Sequence, residues 1–376
     1  MCMATVRKTP TRLLREHLHR QLLIAANSGR FFFRILCGNF RDLNRAPIGS
    51  KWAFVLHRPG HNQAFVGHGL PSAEDVWAVA RETYSSRKIW PISFSYPLEA
   101  KVDPPEKSGG LSPIFPGHSY SFSDPDQYLQ SYGAYDFALT HKKAGWDCFR
   151  HLEICFAGAI PYMPDATLIP AHTMVHYPKE FLVRVAEHLQ HNRAVAEPAA
   201  KRGLAQYFNR ELTSRAMAAY VARVAPFLHG GRVLFVDEAL VGMPDYQSVL
   251  TLIGLKQLLG TNVSVAHPVD YVYADWDGDA TDLYGRGFGY TRVLDPRLKE
   301  GNEISATPLI ISRESLAVFD AIVIGSITRN TELAGRLLDL FPAEKSIWIH
   351  GEDEGPTEQD IRGYREARVT AFAREL

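Results

Sequence analysis

The stretch RVLFVDEALVGMPDYQSVLTLIGLKQLLGTNVSV (residues 232–265) decides the fold class. Residues 233–236 are apolar without polar alternation, which predicts a strand buried on both faces. A loop (237–245) follows, then a helix (246–259) stopped by Gly260, then a second strand at 263–265. A strand, a helix and a strand in this order indicate a parallel sheet in an α/β protein.

Two later apolar runs continue the same pattern. Residues 320–325 and 346–350 predict two more buried strands, and residues 331–340 predict the helix between them. Ligands of open parallel sheets bind beyond the carboxyl ends of the strands. We therefore expect three turns to surround one crevice: residues 237–245, 326–330 and 350–355.

A second α/β unit precedes this one in the chain. Strands are predicted at residues 51–56, 89–94, 135–139 and 159–163, and helices at 72–83, 179–190, 198–209 and 213–224. Pro226 and the pair Gly230-Gly231 then mark a stop and a linker. We predict a basic helical segment (1–45), a first domain (46–228) and a Rossmann-like second domain (229–376).

The stretch YDFALTHKKAGWDCFRHLEICFAGAIPYMPDATLIP (residues 135–170) carries the most chemistry. Its predicted helix places Asp147, Arg150 and Glu153 on one face, because they are spaced three residues apart. Cations can hold a diphosphate, and a carboxylate can hold sugar hydroxyls. The alternative is an ordinary amphipathic helix in which Arg150 and Glu153 form a surface ion pair.

This stretch also resembles a known family. Arg150-x-x-Glu153, Ala157-Gly158-x-x-Pro161, Asp165 and then Leu-x-Pro resemble, in this order, the donor-binding segment of exostosin-like glycosyltransferases. Fucosyltransferases and other enzymes with the GT-B fold are similar more distantly. The resemblance is clear over roughly the 35 residues quoted and loose over residues 90–225.

The resemblance implies a GT-B enzyme, with two Rossmann-like domains and a nucleotide-sugar donor. The donor domain comes first here, so the domain order is expected to be circularly permuted. Arg150 would bind the diphosphate with help from Lys142 or Lys143. Glu153 would contact the donor sugar or its ribose, and Gly158 would let the backbone approach the ligand closely. We add Asp147 to the donor-binding residues, since it shares their helix face.

Acids of the second unit are candidates for the base that deprotonates the acceptor hydroxyl. Asp245 lies at a predicted helix start, where capping and the helix dipole should lower its pKa. Glu352 and Asp353 have acidic neighbours, which should raise the pKa of one of them. We therefore rank Asp353 and Glu352 above Asp245 as the base. Capping of helices by these acids is the alternative in each case.

The stretch from residue 284 to 290 alternates glycines with aromatic residues. Tyr284, Phe288 and Tyr290 are expected to stack on an acceptor or donor sugar, although a plain hairpin is an equal alternative. No Asp-x-Asp motif lies beside the donor segment, which favours transfer without a metal ion or other cofactor. His172 and His176 lack a third ligand at metal-site spacing.

Composition and charge limit the partners. The chain has 376 residues, 46% hydrophobic and 22% charged, and formal net charge of zero, so no nucleic-acid partner is expected. Residues 1–41 are an exception, with seven arginines and one lysine against the single acid Glu16. A basic amphipathic helix there could lie on an anionic membrane near a lipid-linked acceptor, serve as a transit peptide, or simply pack on the domain. The four cysteines form no framework, which favours a reducing, cytoplasmic location, with peripheral membrane contact left open.

The expected function is therefore transfer of a sugar from a nucleotide-sugar to the hydroxyl of a sugar, lipid-linked or small-molecule acceptor. Two alternatives belong to other classes. The first is a catalytically inactive protein that keeps the nucleotide crevice. The second is a magnesium-dependent phosphoryl-transfer enzyme that uses Asp237 and Glu238 after the strand at 233–236.

Overall fold

A computed structural model describes residues 63–114, 116, 122–299 and 310–376. The predicted basic helix within residues 1–45 and the predicted strand at 51–56 lie outside these ranges. The strands within them are, in chain order, β1 (Trp90–Pro91), β2 (Phe137–Leu139), β3 (Ile160–Tyr162), β4 (Val233–Val236), β5 (Val263–Val265), β6 (Ala321–Ile324), β7 (Ser346–His350) and β8 (Thr370–Ala373).

Six of these strands form one parallel sheet in the order β1-β8-β7-β6-β4-β5. Counted from β4, the last five strands have the order 2-1-3-4-5, which is one of the common orders of doubly wound α/β proteins. The strand order reverses between β4 and β6, so a crevice is expected at their carboxyl ends. The α/β class and the parallel sheet predicted from the apolar runs are confirmed.

The strands of this sheet are apolar on both faces because alternate residues belong to two different cores. Val233 and Phe235 pack in one hydrophobic cluster, and Leu234 and Val236 pack in the other. The same alternation holds in β6, β7 and β8. Since side chains of a strand point to opposite faces in turn, this distribution requires a layer of helices on each side.

Four helices supply these two layers. The helices of the described ranges are, in chain order, α1 (Ala73–Arg87), α2 (Pro125–Gly133), α3 (Phe149–Phe156), α4 (Lys179–His191), α5 (Pro198–Glu211), α6 (Ser214–Val224), α7 (Tyr246–Leu259), α8 (Arg313–Leu316), α9 (Thr331–Leu338) and α10 (Glu358–Glu366). Helices α6 and α7 pack on one face of the sheet, and α9 and α10 pack on the other. The sequence did not predict α2, α8, α10 or β8.

Strands β2 and β3 form a small parallel sheet of their own, connected by the helix α3. This unit is separate from the six-stranded sheet. Strand β1 nevertheless joins that sheet by pairing with β8. One hydrophobic cluster also contains residues from both sides of position 228, among them Phe137, Phe208 and Phe235. The two halves of the chain thus share a core, and the boundaries at residues 45 and 228 remain predictions.

Close packing of α6 on α7 depends on Gly254. A Cβ atom built there would lie 2.2 Å from the Ser214 carbonyl oxygen, whereas a Cβ at Gly335 in α9 meets nothing within 4 Å. We expect Gly254→Ala to lower the free energy of unfolding by about 1–3 kcal/mol through overpacking. Gly335→Ala, the matched control, should raise it by about 0.5–1 kcal/mol through helix propensity. Urea denaturation measures both, and a stabilised Gly254→Ala protein would contradict the packing described.

Candidate functional site

A cavity of roughly 500 Å³ lies beyond the carboxyl ends of β4, β6, β7 and β8. Residues that follow these strands form one wall: Asp245, Arg329, Gly351, Glu352, Asp353 and Arg374. The opposite wall consists of Lys143, Asp147, Cys148, Arg150 and Glu153. The structure thus brings each of the three predicted turns to the same crevice as the residues of α3.

Helix α3 presents Arg150 and Glu153 to this cavity, so they are not a surface pair. The Glu153 side chain is buried and accepts a hydrogen bond from the Tyr128 hydroxyl at 2.9 Å. Burial raises the pKa of Glu153, and the charge of Arg150 and the bond from Tyr128 oppose that rise. The Nε atom of Arg150 is buried and has no hydrogen-bond partner within the described part of the chain.

The charge of Arg150 is secured by its neighbours. Burial by itself would lower the pKa of Arg150, but the hydroxyls of Tyr132 and Tyr128 and the Glu153 carboxylate raise it above its usual value. A guanidinium held charged with an unfilled donor is suited to bind an anion. Arg150 is therefore a candidate residue for binding an anion.

The two adjacent lysines have different surroundings. Lys143 is exposed and lines the cavity. The Lys142 ammonium lies 5.2 Å from the centre of the Trp146 ring, and its backbone N–H donates to an Asp165 carboxylate oxygen at 3.0 Å. Of the pair, Lys143 is therefore the residue placed to meet a ligand. Lys142 stabilises the loop instead.

Asp147 and Gly158 have structural surroundings that differ from the predicted donor contacts. The buried Asp147 carboxylate accepts from the Phe94 backbone N–H at 2.8 Å and from the Tyr177 hydroxyl at 3.0 Å, so protein donors already occupy both oxygens. Gly158 has a φ of +89° and packs on Pro104 outside the set of cavity-lining residues. Asp147 thus fixes the loop, and Gly158 allows a turn.

The pKa of Asp245 is shifted in the direction opposite to the predicted one. Asp245 does cap α7, accepting from the backbone N–H groups of Gln247 at 2.7 Å and Ser248 at 3.3 Å. Burial outweighs these bonds and the charge of Arg329, and it raises the pKa of Asp245 to about 6. An acid that titrates near neutral pH is suited to exchange a proton, so Asp245 becomes the first candidate base.

Asp353 and Glu352 have partners of their own. The Asp353 carboxylate accepts from the Arg374 guanidinium at 2.6 Å, and Glu352 accepts from the Thr328 hydroxyl at 2.5 Å. Both residues line the cavity. The ion pair holds Asp353 in a fixed position, and the ranking of these two residues above Asp245 is therefore reversed.

Only one of the three aromatic residues predicted to stack on a sugar faces the main cavity. Tyr284 is 58% exposed and lines that cavity. Tyr290 is fully buried, and its hydroxyl donates to the Tyr284 carbonyl at 2.6 Å, so its predicted contact with a sugar is wrong. Phe288 is 5% exposed and borders a second cavity.

This second cavity, of roughly 340 Å³, shares the lining residue Glu153 with the first. Its walls include the aromatic rings of Tyr96, Tyr128 and Phe288 and the segment from Glu99 to Val102. Aromatic walls with a few polar groups are typical of binding sites for planar or ring-shaped ligands. The carboxylate residue Glu153 is thus common to the linings of the two cavities.

Several residues of the site were missed in the sequence. Arg374 and Glu375 follow β8, whose apolar run after residue 369 is short and was not recognised as a strand. Arg329 lies in the turn after β6 and lines the cavity, but no local motif in the sequence marks it as a site residue. Tyr246 begins α7 and lines the cavity, with its ring 4.2 Å from that of Phe149.

Asp237 is the residue on which the magnesium alternative depends. It is buried, and its two oxygens accept from the Ser248 hydroxyl at 2.6 Å and the Asn330 amide at 2.9 Å. These bonds connect β4 with α7 and with the turn after β6. The arrangement gives Asp237 a structural role at the position where the strand order reverses.

Comparisons with family models, with curated proteins and with solved structures find no match for this chain. In the described ranges, no helix has both the length and the hydrophobicity that crossing a bilayer requires. The same ranges contain no group of three or more His, Cys, Asp or Glu side chains arranged to hold a metal ion.

The raised pKa of Asp245 makes stability depend on pH. The folded protein keeps this proton up to about pH 6, while the unfolded chain loses it near the ordinary aspartate pKa of 3.8. The contribution of Asp245 to the free energy of unfolding is therefore fully present below about pH 4 and is lost as the pH rises through about 6. Replacing Asp245 by Asn should flatten that part of the profile, measured by urea denaturation between pH 4 and 7.5. The exposed Asp282→Asn serves as control; an unchanged slope in Asp245→Asn would contradict the burial effect.

Proposed function

We propose that this protein transfers a glycosyl group from a nucleoside diphosphate sugar to an acceptor hydroxyl. The observation that carries the proposal is the charged Arg150 of α3, whose buried Nε atom has no hydrogen-bond partner within the described residues. It faces a cavity at the carboxyl edge of a parallel sheet, the place where doubly wound proteins bind nucleotides. The resemblance of residues 135–170 to exostosin-like donor segments supports the same activity.

In this proposal Arg150 and Lys143 bind the diphosphate. The leaving nucleoside diphosphate gains negative charge as the bond between the sugar and its phosphate breaks. Cations already fixed beside that charge stabilise the transition state more than the ground state. The proposal assigns this task to protein cations and includes neither a metal ion nor another cofactor.

In this proposal the ligand extends across both cavities, and Glu153 contacts its middle part. Glu153 lines both cavities, and ribose or sugar hydroxyls are the natural donors to a buried carboxylate. The second cavity, with the aromatic walls of Tyr96 and Tyr128, suits the nucleoside base. The diphosphate and the transferred sugar would then occupy the first cavity.

The acceptor enters from the side of the six-stranded sheet in this mechanism. Asp245 removes the proton of the acceptor hydroxyl while that oxygen attacks the anomeric carbon of the donor sugar. The electron pair of the breaking bond leaves with the diphosphate. Tyr284, exposed at the cavity wall, is the remaining aromatic candidate to stack on a sugar ring.

A GT-B arrangement with the donor domain first (46–228) and the acceptor domain second (229–376) belongs to this proposal. The proposal also includes a sugar, lipid-linked or small-molecule acceptor, a cytoplasmic location and membrane contact through residues 1–41. The inactive nucleotide-binding protein is the second candidate. Binding without any sugar release would favour it.

The first test concerns the donor site. Glu153→Gln keeps the size of the side chain but removes the charge that a sugar or ribose hydroxyl would meet. We expect it to reduce transfer by at least about tenfold, the loss typical of one charge-assisted hydrogen bond, with little change in melting temperature. The assay screens nucleotide-sugars for sugar release, and thermal shift with UDP, GDP, ADP and CDP reports binding.

Arg150→Lys is the companion variant for the diphosphate. A lysine keeps the charge but loses the planar set of donors, so nucleoside diphosphate affinity should fall. Arg362→Lys is the matched control, because Arg362 is exposed on α10 and does not line the cavity. Full turnover and normal nucleotide affinity in both Glu153→Gln and Arg150→Lys would refute the donor site.

A separate test concerns the base. Asp245→Asn should keep nucleoside diphosphate affinity within about threefold and lower the rate of transfer by about two to four orders of magnitude, the range of general-base contributions. Glu352→Gln is the comparison, since it lines the same cavity. In the wild type the rate should rise with pH through about 6, as Asp245 loses its proton. A normal rate in Asp245→Asn would leave the proposal without its base.

A further inference from the structure

The residues that follow β8 contact the loop between β2 and α3. The Arg374 side chain is 2% exposed and, besides its neighbour Glu375, donates to three groups: the Asp147 carbonyl at 2.5 Å, the Gly351 carbonyl at 2.9 Å and the Asp353 carboxylate at 2.6 Å. Its guanidinium also stacks over the Phe94 ring at 4.2 Å. One side chain therefore joins both walls of the main cavity.

Glu375 holds the same loop from a second direction. Its carboxylate accepts from the Asp147 backbone N–H at 2.9 Å and from Arg374 at 3.2 Å. The next residue, Leu376, exchanges hydrogen bonds with the Thr173 hydroxyl at 2.7 and 3.0 Å. The segment is thus fixed at three successive positions.

The loop approaches this pair closely at Gly145. A Cβ atom there would lie 2.5 Å from a Glu375 carboxylate oxygen, and 3.1 Å from both Arg374 and Asp353. Residues 142–148 contain Lys143 and lead into the first turn of α3, which carries Arg150. The course of this loop is therefore set by Arg374 and Glu375.

We propose that Arg374 and Glu375 are positioning residues that hold the loop of residues 142–148 in the conformation that binds a nucleoside diphosphate. The inference rests on the proposed function for its ligand, and on the contacts above for its geometry. Neither residue needs to touch the ligand. They act on affinity by fixing Lys143 and the start of α3 before the ligand arrives.

Charges around this pair make the arrangement sensitive to pH. The groups facing Glu375 and Arg374 are the carboxylates of Asp147 and Asp353, with the Tyr177 hydroxyl on the far side of Asp147 and the Cys148 thiol nearby. Burial raises the pKa of Glu375 to about 7 and that of Asp147 to about 6. Protonation of Glu375 as the pH falls below 7 would remove one of the two charges that hold the loop.

Cys148 offers a probe that does not depend on activity. Cys148 is partly exposed and lines the cavity, and its thiol contacts the carbonyls of His141 and Gly145, whereas Cys155 is buried. Alkylation by iodoacetamide at pH 8, located by mass spectrometry, therefore reports how tightly the loop is held. We expect Glu375→Ala to speed labelling of Cys148 by at least about tenfold, as loss of a charged hydrogen bond implies.

The same variant should weaken binding of UDP, GDP, ADP or CDP, whichever the wild type binds, by a similar factor. Glu375→Gln should rescue part of both effects, because its amide oxygen still accepts from the Asp147 N–H. The exposed Glu344→Ala is the control and should change neither. If Glu375→Ala does not fold, Gly145→Ala perturbs the same contact from the loop side and should show the same two effects.

Wild-type labelling and affinity in both Glu375→Ala and Gly145→Ala would overturn the inference. Faster labelling with unchanged nucleotide affinity would also overturn it, since the loop would then be held for stability alone. If the wild type binds none of the four nucleotides, the proposed function fails. Because the inference takes its ligand from that function, its claim about affinity then fails as well, and faster labelling would show only that the contacts hold the loop.

Discussion

Burial of the six-stranded sheet on both faces is the constraint on which the rest of the structure depends. Strands such as β4 and β6 have apolar side chains on each side, so the chain must provide helices for two layers. Parallel strands also place all their carboxyl ends at one edge. The loops that leave this edge carry polar groups, and they converge on one cavity.

The cavity buries ionisable side chains of both signs within a few ångströms of one another. Burial acts on each of them in the direction that disfavours charge, and each group keeps or loses its charge according to its partners. Arg150 stays charged because tyrosine hydroxyls and Glu153 surround it, whereas burial raises the pKa of Asp245 in spite of its capping bonds. A site of this kind is arranged before the ligand binds, which lowers the cost of ordering charges on binding.

The sequence predicts the elements with strong local signals. The helix at 246–259 and the strands at 263–265 and 346–350 have the predicted bounds, because apolar runs and glycine stops mark them clearly. Strand β8 was missed because its four residues have no such boundary. The convergence of the three turns was predictable from the rule that parallel strands end at one edge, but the rule does not extend to α3, which connects the strands of the separate small sheet.

The features of the site that were not predicted depend on burial in the tertiary structure, which cannot be derived from local sequence patterns. Capping of α7 by Asp245 was predictable from the sequence, but the larger effect of burial on the pKa of Asp245 was not. Tyr284 and Tyr290 belong to the same glycine-rich stretch, yet one is exposed at the cavity and the other is fully buried. The contacts of Arg374 with Asp147 and Gly351 join segments distant in the sequence, and no spacing rule indicates them.

The pairing of β1 with β8 has a consequence for how the protein is made. Trp90 is opposite Phe372, so this edge of the sheet closes only when segments separated by most of the chain meet. Contacts of such sequence separation slow folding, because the intervening chain must be ordered first. During synthesis on the ribosome, β1 therefore emerges long before its partner, and the first half of the chain must wait with an unpaired strand edge. Such edges favour association with other chains, so the period before β8 emerges is the time when this protein is most exposed to aggregation.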